Sequence, residues 1–190
     1  MPDAGRVIAG TARGLRLDAP GPGTRPIGDR VKQTLFAILE PDLPGARVLD
    51  LFAGSGAAGI EALSRGAAGA VFVERDAQAC SVITANLTRT RLAGVVVRVV
   101  RADALAWLSG PAAIDAGPYD LVVADPPYDD PALLVRTLES LGPLLAPRAR
   151  VVAKHFWRDA PPSIIGLLAS DRERRFGETA LTFYRRQETT

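Results

Sequence analysis

The chain has one cysteine, Cys80, and one histidine, His155, in 190 residues. A single thiol excludes an intramolecular disulfide framework and a cysteine-cluster metal site, and with only one imidazole no zinc or iron centre is expected. Lysine is scarce as well, since 21 of the 23 basic residues are arginine. No uncharged run exceeds the twelve residues from Ala77 to Thr88, well short of the roughly 18–20 needed to cross a bilayer. The opening Met-Pro-Asp-Ala-Gly lacks a basic flank and apolar stretch, so no secretory leader is read there. These absences lead us to expect a cytoplasmic, globular protein with no metal and no membrane association, and a monomer is the default expectation for a small basic chain.

What is present is a balance of 47% apolar and 23% charged residues, able to bury the core of one domain plus a small extension. The net charge of +2 conceals a segregation. Residues 1–32 and 148–190 are basic, and the stretch between them is acidic. Arginine makes planar, bidentate contacts to phosphate, so basic ends rich in it fit a nucleic-acid partner. A GC-rich genome would also favour arginine over lysine, but it does not explain the segregation.

Residues 6–9 and 15–18 read as a small hairpin. A Pro- and Gly-rich loop, 19–28, then leads to a helix capped by Asp29, with Val31, Leu35, Ile38 and Leu39 at helical spacing. Everything up to residue 44 is read as an extension, and 45–190 as the main domain. There, strands predicted at 47–52, 70–74, 95–100, 119–124 and 149–153 alternate with helices at 57–65, 76–91, 103–108 and 131–145. Several of these strands are almost continuously apolar, as expected when helices cover both faces of a parallel sheet. Residues 172–176 and 179–185 read as a closing antiparallel pair. The expected fold is α/β, doubly wound and Rossmann-like, with a mostly parallel seven-stranded sheet and an antiparallel edge. Cys80 is read as a helix residue facing the core.

The segment after the first core strand, Asp50-Leu-Phe-Ala-Gly-Ser-Gly-Ala-Ala-Gly59, fits G-x-G-x-x-G between a strand and a helix. That context lets a nucleotide-type cofactor approach the backbone. Glu74, ending the next strand, can take both hydroxyls of a ribose. This pair alone allows a nicotinamide cofactor or S-adenosylmethionine (AdoMet). Asp50 favours AdoMet, since an anion beside the loop repels a pyrophosphate and attracts an amino or sulfonium group. Asp103, at the third strand's end, can accept from an adenine amino group, though it would equally cap the following helix.

Asp125-Pro-Pro-Tyr128 follows the fourth strand at the carboxyl edge, where open α/β sheets bind ligands. The paired prolines stiffen the backbone and offer carbonyl acceptors but no N–H. Asp125 and the Pro126 carbonyl suit the two hydrogens of an exocyclic amine, with Tyr128 stacking on the base. Such bonds favour a more pyramidal nitrogen with its lone pair directed at a methyl donor. An isolated segment of this kind would be only a proline turn before a helix near Asp130. His155, Phe156 and Trp157 sit at the same edge, either as structural residues or as part of the pocket.

Together these residues resemble the class I AdoMet-dependent methyltransferases, and specifically the 16S ribosomal RNA guanine-N2 methyltransferase D family. Arg6-Val-Ile-Ala-Gly10, Arg13-Gly14, Leu17 and Pro20 resemble that family's opening hairpin. Thr24-Arg25-Pro26, Asp29-Arg-Val-Lys32 and Leu35-Phe36 are similar to its second block, and Glu61-Ala-Leu-Ser-Arg-Gly66 to a later one. The resemblance covers residues 6–186. It implies methylation of one guanine N2, at position 966 of the 16S rRNA, in an assembled or nearly assembled 30S subunit, releasing S-adenosylhomocysteine. It further implies that Asp50, Gly54 and Gly56, with Phe52 and Ala53, hold the methionine end of the cofactor. Glu74 with Arg75 holds its ribose, and Asp103 with Ala104 its adenine. Asp125, Pro126, Pro127 and Tyr128 take the target guanine, and Arg6, Arg13, Arg16, Arg25 and Arg30 approach RNA phosphates. The chain departs from the family pattern at Ile27-Gly28, where a threonine-rich pair is expected, and at Lys154-His155, where a glutamate is expected. Alternatives are a DNA adenine-N6 methyltransferase, for which 190 residues leave no room for a target-recognition domain, a nicotinamide oxidoreductase, and a noncatalytic ribosome-assembly binder.

Overall fold

The computed structural model describes residues 3–21, 27–92 and 96–187. A two-stranded hairpin, β1 (Asp3–Arg6) and β2 (Arg16–Asp18), precedes helix α1 (Asp29–Leu39). The alternating part follows as β3 (Arg47–Leu51), α2 (Ala57–Ser64), β4 (Gly69–Glu74), α3 (Ala77–Thr90), β5 (Val96–Arg101), α4 (Ala104–Leu108), α5 (Pro111–Ala116), β6 (Tyr119–Ala124), α6 (Pro131–Glu139) and β7 (Leu145–Phe156). Three antiparallel strands, β8 (Ile164–Ile165), β9 (Leu168–Phe176) and β10 (Thr179–Arg186), complete the chain. Among the described residues the main sheet has eight strands, in the order β5-β4-β3-β6-β7-β10-β9-β8. Its first five strands run parallel, and β10, β9 and β8 antiparallel. The eighth strand, beyond the seven expected, is the two-residue β8.

Strand alternation sends side chains to two separate cores. Val48, Phe72, Leu121, Val123 and Phe183 pack with α1, α2, α3 and the hairpin. Leu49, Leu51, Val122, Val151 and Tyr184 pack with α4, α5 and α6 on the other face. This two-sided cover is the doubly wound architecture, and its switch point falls between β3 and β6, where the chain order reverses. Leu51 pairs with Ala124 at the carboxyl ends of these two strands. The segments that follow, beginning at Phe52 and at Asp125, therefore emerge side by side.

Several boundaries differ from expectation for local reasons. Strand β1 ends at Arg6 because the Ile8 and Ala9 amides donate to the buried Glu61 carboxylate, at 2.7 and 3.0 Å, and not to a neighbouring strand. Gly28, not Asp29, occupies the cap of α1, and Asp29 lies in its first turn beside Arg6 and Lys32. Helix α6 stops at Glu139, six residues early, because Gly142-Pro143 turns the chain into a 3-10 turn and then β7. The hairpin is sutured onto the sheet's helices. Glu61 and Ser64 of α2 and Asn86 of α3 together bind the backbone of residues 8, 9, 11, 12 and 18. Gly10 (φ +82) makes this approach possible, since a Cβ there would lie 1.8 Å from the Ser64 carbonyl oxygen. Among the described residues no helix is long and apolar enough to cross a membrane.

Candidate active site

Four strand ends contribute to one cavity of about 590 Å³. From β3 come Asp50 and the loop Phe52-Ala53-Gly54, from β4 Glu74 and Arg75, from the end of β5 Asp103 and Ala104, and from β6 the whole Asp125–Tyr128 segment. Ile27 and Lys154 also line it.

The loop after β3 holds three residues in the left-handed region: Phe52 (φ 58), Gly54 (φ 54) and Gly56 (φ 76). Glycine adopts this freely, whereas Phe52 does so at a cost of about 1–2 kcal/mol. Gly56 caps α2 and shapes the turn without lining the cavity. Gly59 serves packing, because a Cβ there would sit 2.3 Å from the Phe72 ring. Its N–H donates to Asp50 Oδ2 at 2.9 Å. Asp50 is only 2% exposed, and burial pushes its carboxyl up to about 8 against the pull of that hydrogen bond, with the charges of Asp125 and Glu74 adding to the rise.

Glu74 braces the loop. Its Oε2 accepts from the Gly54 N–H and its Oε1 from the Asp76 N–H, both at 2.9 Å. Asp103 caps α4, as its sequence context allows, through Oδ1 to the Ala106 N–H at 3.0 Å. Arg75 lies exposed at the rim.

Asp125 leaves β6 with its N–H donated to the Leu51 carbonyl. One carboxylate oxygen, Oδ1, lies 2.6 Å from Lys154 Nζ. Lys154 also sits 5.0 Å from the centroid of the Tyr128 ring. Burial pushes the Asp125 carboxyl up and Lys154 pulls it down, with a net rise. Burial likewise opposes the Lys154 ammonium, but the attraction of Asp125 and Tyr128 outweighs it and raises its pKa. The Tyr128 hydroxyl is fixed by Thr179 Oγ1 at 2.9 Å.

The lysine standing where a glutamate is expected is thus the direct partner of Asp125. Sequence pattern could not pair residues 29 positions apart, although their places at the ends of neighbouring strands were a signal. His155 turns into the sheet, with its ring nitrogens engaged by the Phe156 carbonyl and Thr182 Oγ1, both at 2.8 Å. It does not line the main cavity. Cys80, read as a helix residue facing the core, lies in α3 but is only half-buried and joins neither core, with Sγ 3.5 Å from the Glu74 carbonyl oxygen.

Of the arginines read as phosphate contacts, Arg6 pairs with Asp29 at 3.3 Å and Arg16 with Asp3 at 2.6 Å. Arg13 and Arg30 are exposed, and Arg25, with Thr24 and Pro26, lies outside the described residues. The described His, Cys, Asp and Glu side chains form no cluster that could hold a metal ion.

The cavity's chemistry suits a nucleoside carrying a cation. Asp50, Glu74 and Asp103 supply acceptors at three successive strand ends, and the buried Asp50 carboxyl gains most from an adjacent positive charge. Fold and site together define an AdoMet-dependent methyltransferase of the doubly wound class. Residues 5–185 match the family model described as conserved hypothetical protein 95, and the chain belongs to that family. It is 36% identical to ribosomal RNA small subunit methyltransferase D of Escherichia coli K12 over 185 residues, covering 96% of this chain and 90% of that one. Among solved structures, yhhF of E. coli matches with a TM-score of 0.83 and 34% identity, over 96% of this chain and 97% of that one. The Thermus thermophilus protein TTHA0928 matches with a TM-score of 0.78 and 34% identity, over 94% and 97%.

Proposed function

We propose that this protein methylates the exocyclic N2 of a guanine in 16S rRNA, within an assembled or nearly assembled 30S subunit, using AdoMet. The observation that carries this reading is the shared cavity, with the acceptors for a cationic nucleoside and the Asp125–Tyr128 segment opening onto one space. The E. coli relative acts, by its name, on small-subunit ribosomal RNA.

Bound AdoMet supplies an electrophilic methyl group on a sulfonium. In this reading Asp50 and the backbone of Phe52 to Ser55 hold its methionine end, with Gly56 shaping the turn behind them, Glu74 and Arg75 its ribose, and Asp103 and Ala104 its adenine. The chain's own contribution to transfer is positioning and fixed electrostatics. Lys154 occupies Asp125 Oδ1, leaving Oδ2 to accept one hydrogen of the target amine while the Pro126 carbonyl accepts the other. The two bonds aim the nitrogen lone pair along a single direction. Tyr128, held by Thr179, stacks on the base after it leaves the RNA stack. Asp125 then assists departure of the amine proton.

Small subunits from a strain lacking the gene, incubated with tritiated AdoMet and digested to nucleosides, test this. Label in N2-methylguanosine is expected, and label in N6-methyladenosine or any other base overturns the reading.

A further inference from the structure

Outside the cavity, the exposed end of β7 carries an arrangement that neither the fold nor the proposed chemistry requires. The Trp157 indole is half-exposed and joins neither buried core. The Arg175 guanidinium lies 3.6 Å from its ring centroid and that of Arg158 4.9 Å away. Arg175 is braced by its Nε donating to the Gly177 carbonyl at 2.9 Å. Among the described residues neither arginine forms an ion pair, although Asp159, Glu173 and Glu178 are exposed close by in sequence.

Two cations gathered at one aromatic ring repel each other, and an anion between or beside them relieves that repulsion. The backbone that carries the ring is also tied to the target segment. The Trp157 main-chain N–H donates to the Glu178 carbonyl at 3.0 Å, and the next residue, Thr179, holds the Tyr128 hydroxyl. Ring centroids step from Tyr128 to Phe156 in 6.5 Å and from Phe156 to Trp157 in 6.3 Å. The cluster therefore lies one aromatic side chain beyond the base-binding tyrosine.

We infer that Trp157, Arg158 and Arg175 form a stacking and phosphate-binding platform for single-stranded RNA flanking the target nucleotide. This rests on the reading of the cavity as an RNA-modifying site. A base stacks on the indole or on the flat guanidinium, and the adjacent phosphate receives paired N–H bonds from arginine. The platform adds a second contact surface to the one expected from the N-terminal hairpin.

Trp157→Ala and Arg175→Ala should each raise the KM for 30S subunits about tenfold, leaving kcat and AdoMet affinity within twofold, and Trp157→Phe should recover most of the loss. A direct readout comes from a Trp107→Phe protein, in which Trp157 is the sole tryptophan. Its fluorescence should be quenched by a single-stranded oligoribonucleotide and much less by a duplex of the same sequence. Unchanged KM in both alanine variants, or no quenching by single strands, overturns the inference. Failure of the wild type to methylate rRNA would instead count against the proposed function, while the quenching experiment would still report on the platform.

Discussion

Lys154 Nζ stands 2.6 Å from Asp125 Oδ1, at the ends of the adjacent parallel strands β6 and β7. The Lys154 ammonium opposes the rise that burial imposes on the Asp125 carboxyl and commits one of its oxygens, leaving the other for the target amine of the proposed reaction. Lys154→Met leaves Asp125 without its cation, so burial raises the carboxyl further and more of it is protonated at neutral pH. We expect kcat at pH 7 to fall about 10- to 100-fold, and the acid limb of the pH–rate profile to move upward, with partial recovery near pH 9. A uniform loss across pH would show that Lys154 does not act through the charge of Asp125. Asp125→Ala should abolish transfer while leaving RNA and cofactor binding nearly intact.

If Asp50 takes the proposed place beside the cofactor, its burial should make cofactor binding proton-linked. Burial pushes its carboxyl up to about 8, so the free protein is expected to hold a proton there at pH 7. A cation bound beside it lowers that value, so binding should release about one proton. Calorimetry at pH 7 in two buffers of different ionisation enthalpy measures this directly, and identical heats would contradict it.

The same group shapes stability. Because its folded pKa lies above the unfolded one, the stability it allows is fully present below about pH 4 and is lost as pH rises through about 8. Asp50→Asn retains an acceptor for the Gly59 N–H and removes this loss. The variant should be more stable than the wild type at pH 9, on the order of a few kcal/mol, yet bind AdoMet at least about tenfold more weakly. Urea titrations at pH 5 and pH 9 provide the comparison.

Glu61 is fully buried and joins the hairpin to α2. Glu61→Ala strands the Ile8 and Ala9 amides and the Arg65 Nε, which lies 2.8 Å from it, while Arg65 Nη1 keeps its pairing with Glu40. A loss of about 3–5 kcal/mol is expected, lowering Tm by roughly 10 °C. Glu61→Gln, which keeps an acceptor oxygen, should lose distinctly less.

Gly59→Ala forces a methyl against the Phe72 ring, where only 2.3 Å is available. Destabilisation of about 1–3 kcal/mol is expected, and pairing it with Phe72→Leu should restore most of that in thermal melts.

These residues also mark how far sequence reasoning reaches. The glycine loop, the three acids at strand ends and the Asp125–Tyr128 segment were legible because their chemistry is local: turn geometry and strand order bring them together. Glu61 was not, since a glutamate on a helix reads as a solvated face, and it is buried here only because the hairpin folds over it. Lys154 was legible as a departure from pattern but not as a partner, which required the β6–β7 register. Helix α5 escaped because its short apolar stretch between Gly110 and Gly117-Pro118 reads as a loop. The length of β7 was hidden by Pro147, which is tolerated near the start of the strand, where its pairing with β6 is irregular.

The claim on which the rest depends is that methyl donor and target base share the space between β3 and β6. A crystal structure with bound S-adenosylhomocysteine tests it most directly. The adenine should lie by Asp103, the ribose by Glu74, and the sulfur should face Asp125 and Pro126. A sulfur directed away from that segment, or a ligand bound outside this cavity, would contradict it.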